Sequence, residues 1–125
     1  MEEDKRKVML IDDNIISLMV TAEVLSTHGY DVCKTATAKG CVAKLEYERP
    51  NLVLVDPSMP QLALDRLLDS VNEGEAGEAV SVVLFSDKPG AELCDLCVEK
   101  NINGYFSKNL EVTRLPEFIS KFFYS

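Results

Sequence analysis

Four short, mainly apolar runs along this chain each end at a polar residue. They are Val8–Ile11 before Asp12, Leu52–Val55 before Asp56, Val82–Phe85 before Ser86, and Gly104–Ser107 before Lys108. Runs without polar alternation are typical of strands that are buried on both faces, as in a parallel sheet. We therefore expect strands at these runs, the fourth covering Ala79–Phe85 and the fifth Ile102–Phe106. The alternating segment Tyr30–Lys34 predicts a further strand nearer the sheet edge.

Apolar residues at helical spacing lie between the predicted strands. The spacing predicts helices over Ile15–His28, Ala38–Glu48, Leu62–Val71, Pro89–Lys100 and Leu115–Tyr124. Asn14 is a suitable N-cap for the first helix, and Pro50 closes the second. The polar residues 72–78 predict a flexible loop that is too short to separate two domains.

The alternation of strands and helices favours an α/β fold with a doubly wound parallel sheet. The five strands and five helices fit the flavodoxin-like order 2-1-3-4-5. In that order the first and third strands are neighbours, which places Asp12 and Asp13 beside Asp56. Ligand sites in such sheets lie beyond the carboxyl ends of the strands, so we expect the Ser86 hydroxyl and the Lys108 ammonium to converge on the same pocket.

Length and charge restrict the class of protein. A chain of 125 residues suits one domain, residues 1–125, with a substantial core. A net charge of −8 argues against nucleic acid as a direct partner, because phosphate binding needs clustered Lys and Arg. No apolar stretch approaches the length of about 18 residues that spans a membrane, and the charged start is unlike a secretory signal. We therefore expect a cytoplasmic protein without membrane contact.

The four cysteines are most simply interpreted as reduced core residues. Cys94 and Cys97 form a C-x-x-C pair, which raises the alternatives of a redox or zinc site. No second pair completes a set of four zinc ligands, and the pair falls within a predicted helix. Packing is therefore the favoured interpretation for both residues.

The polar residues at the strand ends suit phosphoryl chemistry. Mg²⁺ prefers oxygen ligands, and Asp13, Asp56 and the backbone carbonyl of Ser58 can supply them, with Asp12 binding through water. A carboxylate beside the metal can attack phosphorus, while a lysine such as Lys108 offsets charge on the phosphoryl oxygens. Each residue alone could equally begin a turn or cap a helix. Their occurrence at successive strand ends favours the functional interpretation.

These residues resemble those of a response-regulator receiver domain of the CheY-like superfamily. The similarity covers Val8–Phe123 and lies in the segments Asp12–Asp13, Pro50–Asp56 with Met59–Pro60, Ser86, and Tyr105–Lys108. The resemblance implies that Asp56 is the phosphoacceptor and that Asp12 and Asp13 form the Mg²⁺-binding pair. It further implies that Ser86 and Tyr105 are switch residues and that Lys108 forms an ion pair in the pocket.

Four positions depart from the pattern of that family. Pro57 directly follows the acceptor and removes one backbone N–H from the active loop. Ala63 and Leu64 stand where the family usually has Asp-Gly, so that a positive φ would fall on Leu64. Asp87 replaces a small residue. Asn109 replaces a proline that is normally in cis, so a cis bond is unfavourable here. Together these departures predict slow or atypical phosphorylation.

The resemblance implies a switch in two-component signalling rather than an enzyme with an external substrate. A sensor histidine kinase or phosphotransfer protein would phosphorylate Asp56, and the domain would assist only its own phosphorylation and dephosphorylation. Movement of Ser86 and Tyr105 would then alter the face formed by the fourth helix, fifth strand and fifth helix. An output protein that the sequence does not identify, or a second copy of the chain, would bind that face.

Two other functions remain open on the same fold. The first is a phosphorylation-independent interaction module, which the four departures favour and the complete set of pocket residues opposes. The second is a flavodoxin-like protein that binds flavin or nucleotide. This second alternative is weak, because no glycine-rich phosphate loop follows the first strand.

Overall fold

A five-stranded sheet organises the part of the chain that the computed structural model describes, residues 6–73 and 80–123. Its strands are β1 (Lys7–Ile11), β2 (Asp31–Thr35), β3 (Leu52–Val55), β4 (Ser81–Ser86) and β5 (Gly104–Ser107). Neighbouring strands are all parallel, in the order β2-β1-β3-β4-β5. This order confirms the predicted flavodoxin-like sheet and places the alternating strand β2 at one edge.

Helices cover both faces of the sheet. They are α1 (Ile15–Thr27), α2 (Cys41–Glu48), α3 (Leu64–Asn72), α4 (Gly90–Lys100) and α5 (Leu115–Ser120), the last preceded by a 3₁₀ turn at Val112–Arg114. Asn14 caps α1 as expected, since its side-chain oxygen accepts a hydrogen bond from the Ser17 N–H at 3.0 Å. Within the described residues no helix is long and apolar enough to cross a membrane.

The central strands divide their side chains between two apolar cores. One core packs alternate residues of β1, β3 and β4 against α1 and α5, including Leu10, Leu54 and Phe85. The other packs the intervening residues against α2, α3 and α4, including Met9, Val53 and Leu84. Because both faces are buried, the sequence of these strands shows continuous apolar runs instead of alternation.

Three predicted helix boundaries differ from the structure by two residues or more, and three others by one residue. α2 begins at Cys41 rather than Ala38, because Gly40 has a φ of +79° and breaks the helical backbone. α3 begins at Leu64 rather than Leu62, after a turn that follows β3. α5 ends at Ser120, because Phe122 donates to the Ile119 carbonyl in a tighter i→i+3 turn. The predicted end at Tyr124 lies outside the described residues.

The backbone strain after β3 falls on a different residue from the one expected. Leu64 is the first residue of α3 and does not have a positive φ. Gln61 instead has a φ of +63°, and the Leu62 N–H closes the turn on the Met59 carbonyl at 3.2 Å. The loop therefore makes its left-handed turn three residues earlier, at a residue with a Cβ.

Packing explains some of the cysteines but not all of them. Cys41 is buried, and Cys33 and Cys97 are half-buried against the core between the sheet and α2–α4. Burial accordingly raises the pKa of the Cys97 thiol, with a further contribution from nearby Cys94. Cys94 is exposed, so the prediction that it is a core residue is wrong. Most of the predicted loop at residues 72–78 lies outside the described residues.

The location of the strained residue can be tested with two glycine substitutions. Gln61→Gly should stabilise the fold by about 0.5–1 kcal/mol, because glycine adopts a positive φ without steric cost. Leu64→Gly should destabilise it by about 1 kcal/mol or more, because glycine weakens a helix and removes a half-buried side chain. Urea denaturation measures both changes. Stabilisation by Leu64→Gly with no gain from Gln61→Gly would contradict the assignment.

Candidate functional site

Three aspartates meet at the carboxyl ends of β1 and β3. Ile11 pairs with Val55 in the sheet, so the next residues, Asp12 and Asp56, leave adjacent strands side by side. One carboxylate oxygen from each of Asp12, Asp13 and Asp56 lies within 4.8 Å of the others. Asp12 and Asp56 are buried and Asp13 is exposed, so the cluster opens to solvent on the Asp13 side.

Asp12 is held by backbone hydrogen bonds on one side and by Lys108 on the other. Its N–H donates to the Thr35 carbonyl at 3.1 Å, and its Oδ1 accepts from the Asn14 N–H at 3.0 Å. Only 3% of the residue is exposed. Its Oδ2 is buried and lies 2.7 Å from the Lys108 ammonium, its one charged neighbour among the ion pairs of the described residues. A buried carboxylate oxygen with a vacant lone pair suits a cation.

Lys108 is the counter-ion of this cluster. Its Nζ lies 2.7 Å from Asp12 Oδ2 and 3.0 Å from Asp56 Oδ2, and 5.4 Å from the centre of the Phe85 ring. Burial alone would lower the pKa of Lys108, but the contacts with the two carboxylates outweigh it and raise the pKa above its ordinary value. Lys108 is therefore a fixed positive charge at neutral pH.

The loop after Asp56 retains an amide donor despite Pro57. The Ser58 N–H donates to Asp56 Oδ1 at 2.9 Å, while Lys108 contacts Oδ2. The Asp56 N–H donates to the Ile11 carbonyl at 3.0 Å and fixes the start of the loop. Both carboxylate oxygens of Asp56 thus have a donor, which orients the group without the N–H that the proline lacks.

Ser86 lies at the end of β4 and is fully buried. Its Oγ accepts a hydrogen bond from the Lys88 N–H at 3.1 Å, so its partner is that amide and not the Asp56 carboxylate. Asp87 is exposed and takes part in no ion pair among the described residues.

The β5–α5 loop places Lys108 without the usual proline. The Lys108 N–H donates to the Ser86 carbonyl at 2.8 Å, which extends the β4–β5 ladder into the loop. The Asn109 N–H donates to Ser107 Oγ, and the Leu110 N–H to the Ser107 carbonyl, each at 3.1 Å. The Ser107 hydroxyl and carbonyl therefore form the turn that follows the lysine.

Tyr105 lies on β5 with 36% of its surface exposed. A Cβ added at Gly90 would lie 3.8 Å from the Tyr105 hydroxyl, which places the end of the ring beside the start of α4. On the other side Tyr105 lines a groove of about 540 Å³ between β5 and α5. The ring is thus exposed, and it lies between the start of α4 and the α5 groove.

The arrangement can hold a divalent cation. The three carboxylates outnumber Lys108, the one ammonium that forms ion pairs with them among the described residues. Hard cations such as Mg²⁺ favour carboxylate oxygens and bound water. The donors in the cluster therefore fit Mg²⁺ and do not fit a thiophilic metal.

Sequence reasoning missed two residues near the carboxylates. The Lys108 ammonium lies over the ring of Phe85. The position of Phe85 directly before Ser86 could have indicated that it borders the pocket. Thr35 fixes Asp12 through a backbone carbonyl, which leaves no trace in the residue type.

Replacing Lys108 should expose the repulsion among the carboxylates. Lys108→Met should destabilise the metal-free protein by about 1–3 kcal/mol, because the methionine keeps the contact with Phe85 but leaves buried charge unpaired. Millimolar Mg²⁺ should reduce this destabilisation. Thermal melts should therefore show a larger Mg²⁺-induced rise in melting temperature for the variant than for the parent chain.

The stabilisation that Lys108 provides should depend on pH in a defined direction. Because the folded-state pKa of Lys108 is raised, its stabilisation is complete at neutral pH and is lost as the pH rises past the ordinary value of 10.5. The difference in unfolding free energy between the parent chain and Lys108→Met should therefore become smaller above that pH. Lys88→Met, which removes a half-buried surface lysine 3.9 Å from Glu92, should reduce the unfolding free energy by less than about 0.5 kcal/mol. Equal stability of the two variants would contradict this role of Lys108.

The family model described as the response regulator receiver domain matches residues 8–120 of this chain. A curated relative, the probable transcriptional regulator ycf27 of Cyanophora paradoxa, is 36% identical over 62 residues. That alignment covers 50% of this chain and 26% of the relative, so the matched region is about a quarter of the relative's length.

Solved structures show the same fold at low sequence identity. The chemotaxis response regulator CheY4 of Vibrio cholerae has a TM-score of 0.81 at 18% identity, with 95% of this chain and 99% of that chain covered. A CheY-like receiver domain protein of Methanospirillum hungatei has a TM-score of 0.79 at 24% identity, with 94% and 93% covered. The match over residues 8–120 establishes the family. The chain belongs to the response regulator receiver domains of two-component systems.

Proposed function

We propose that residues 1–125 form one receiver domain in which Asp56 accepts a phosphoryl group in the presence of Mg²⁺. The observation that carries this proposal is the position of the Asp56 carboxylate. It lies at the end of β3, bound by Lys108 and the Ser58 N–H and beside Asp12 and Asp13. A carboxylate held in this way is a suitable nucleophile for phosphorus.

The protein's own residues would orient the acceptor and balance charge. The Ser58 N–H and Lys108 fix the Asp56 carboxylate, and one of its oxygens forms the bond to phosphorus as the donor's bond breaks. Lys108, already paired with Asp56, would contact a phosphoryl oxygen once it is attached. Asp12, Asp13, Asp56 and the Ser58 carbonyl would hold Mg²⁺, which when bound neutralises charge on the phosphoryl oxygens.

A sensor histidine kinase or phosphotransfer protein is the proposed donor. Four apolar side chains are exposed in the first half of α1, the helix that begins two residues after Asp13: Ile15, Ile16, Met19 and Val20. A group of large exposed apolar residues beside a reactive pocket is typical of a protein-binding surface. A protein donor that brings its phosphoryl group to Asp56 would cover this patch.

The proposed output is a change on the α4–β5–α5 face. Ser86 would exchange the Lys88 N–H for a phosphoryl oxygen, and Tyr105 would occupy the space that it vacates. A second copy of the chain is a proposed partner on this face. The exposed α4 residues Glu92 and Glu99 complement Arg114 and Lys121 beside α5, as a two-fold interface requires.

Phosphorylation should occur at Asp56. Incubation with acetyl phosphate and Mg²⁺ should add one phosphoryl group to the parent chain and none to Asp56→Asn, as measured by intact mass. Asp65→Asn, at an exposed carboxylate on α3, is the matched control and should accept one group. Equal phosphorylation of Asp56→Asn would contradict the assignment. A parent chain that remains unmodified would favour the phosphorylation-independent module.

Phosphorylation should be transmitted through Ser86 to Tyr105. Amide resonances of α4 and α5 and the ring resonances of Tyr105 should shift when Asp56 is phosphorylated, as measured by NMR. These distant shifts should vanish in Ser86→Ala while shifts around Asp56 persist, because the variant accepts the phosphoryl group but lacks the hydroxyl. Shifts confined to the pocket loops in the parent chain would show that this face does not respond.

A further inference from the structure

A groove of about 350 Å³ opens from the acidic cluster toward α2. Asp13 lines one end, and the loops after β2 and β3 form its walls, including Thr37, Lys39 and Gln61. A second groove of about 610 Å³ shares Lys39 and Gln61 and continues between α2 and α3. Lys39 therefore stands where the two grooves meet.

The backbone that carries Lys39 is held in place by its own hydrogen bonds. The Thr35 hydroxyl donates to the Thr37 carbonyl and the Thr37 hydroxyl to the Lys39 carbonyl, each at 3.3 Å. The Cys41 N–H donates to the Ala38 carbonyl at 3.1 Å. Since the Thr35 carbonyl also accepts from the Asp12 N–H, the loop is tied directly to the phosphoacceptor site.

Lys39 provides positive charge where the chain is otherwise strongly negative. Its side chain forms no ion pair with the residues that the structure describes, in contrast to Lys108. The chain has a net charge of −8, and the groove begins at an acidic cluster. An exposed ammonium here is free to contact an anionic group of a molecule bound at Asp56.

We propose that Lys39 is a specificity-determining residue that binds the anionic leaving group of an acyl phosphate donor. This inference rests on the proposed phosphorylation of Asp56. An Asp56 oxygen forms a bond to phosphorus as the bond between phosphorus and the bridging oxygen breaks. The electron pair leaves with that oxygen, and the released carboxylate carries one negative charge. The groove next to Asp13 accommodates this carboxylate, and Lys39 stabilises its charge.

Two small donors with different leaving groups distinguish this role from an effect of the protein's net charge on phosphorylation. Acetyl phosphate releases acetate, whereas zwitterionic phosphoramidate releases neutral ammonia with the electron pair of the phosphorus–nitrogen bond. Lys39→Gln should slow phosphorylation of Asp56 by acetyl phosphate about three- to tenfold, as expected for one exposed charge. The rate with phosphoramidate should change less than twofold. Initial rates from intact mass at fixed Mg²⁺ measure both.

Lys34→Gln is the matched control, because Lys34 is an exposed lysine of β2 that lines neither groove. It makes the same change in net charge and should leave both rates unchanged. Lys39→Arg keeps the charge and should restore most of the rate with acetyl phosphate. The proposal is overturned if Lys39→Gln affects neither donor, slows both equally, or matches Lys34→Gln.

A binding measurement tests Lys39 independently of the phosphorylation rate. In Asp56→Asn, which lacks the acceptor, acetyl phosphate with Mg²⁺ should shift the amide resonances of Ala38, Lys39 and Gly40. These shifts should be lost on adding Lys39→Gln but not Lys34→Gln. Absence of shifts at these amides would overturn the proposal. A parent chain that no donor phosphorylates would instead contradict the proposed function, and the binding measurement would still decide the role of Lys39.

Discussion

The contact of one lysine with two buried carboxylates is the interaction on which the site depends. Asp12 and Asp56 leave adjacent strands at the same edge of the sheet, so their negative charges are forced together. Lys108 lies 2.7 and 3.0 Å from them and offsets part of that repulsion. It does so from a third strand end, which links the chemistry of the pocket to the position of β5.

Backbone hydrogen bonds of the sheet continue into the loops that bear the functional groups. The Asp12 N–H donates to the Thr35 carbonyl, the Asp56 N–H to the Ile11 carbonyl, and the Lys108 N–H to the Ser86 carbonyl. Each bond continues a parallel ladder just beyond the end of a strand. The charged side chains are therefore positioned by the sheet itself.

Aromatic contacts connect the pocket to α5. Lys108 lies over Phe85, whose ring centre is 6.2 Å from that of Phe106. Phe106 in turn lies 5.3 Å from Phe118 of α5. These rings belong to the core beneath α1 and α5, so the charge at the pocket and the packing of α5 share one continuous set of contacts.

The sequence by itself determined the parallel sheet, its strand order and the meeting of Asp12, Asp13 and Asp56. Continuous apolar runs predict strands buried on both faces, and the order of such strands fixes which ends are neighbours. Only the tertiary structure decided that the strained turn falls at Gln61, that Cys94 is exposed and that Lys39 lines the groove. Backbone torsions and helix rotation depend on contacts between distant segments, and these leave no periodic signal in the sequence.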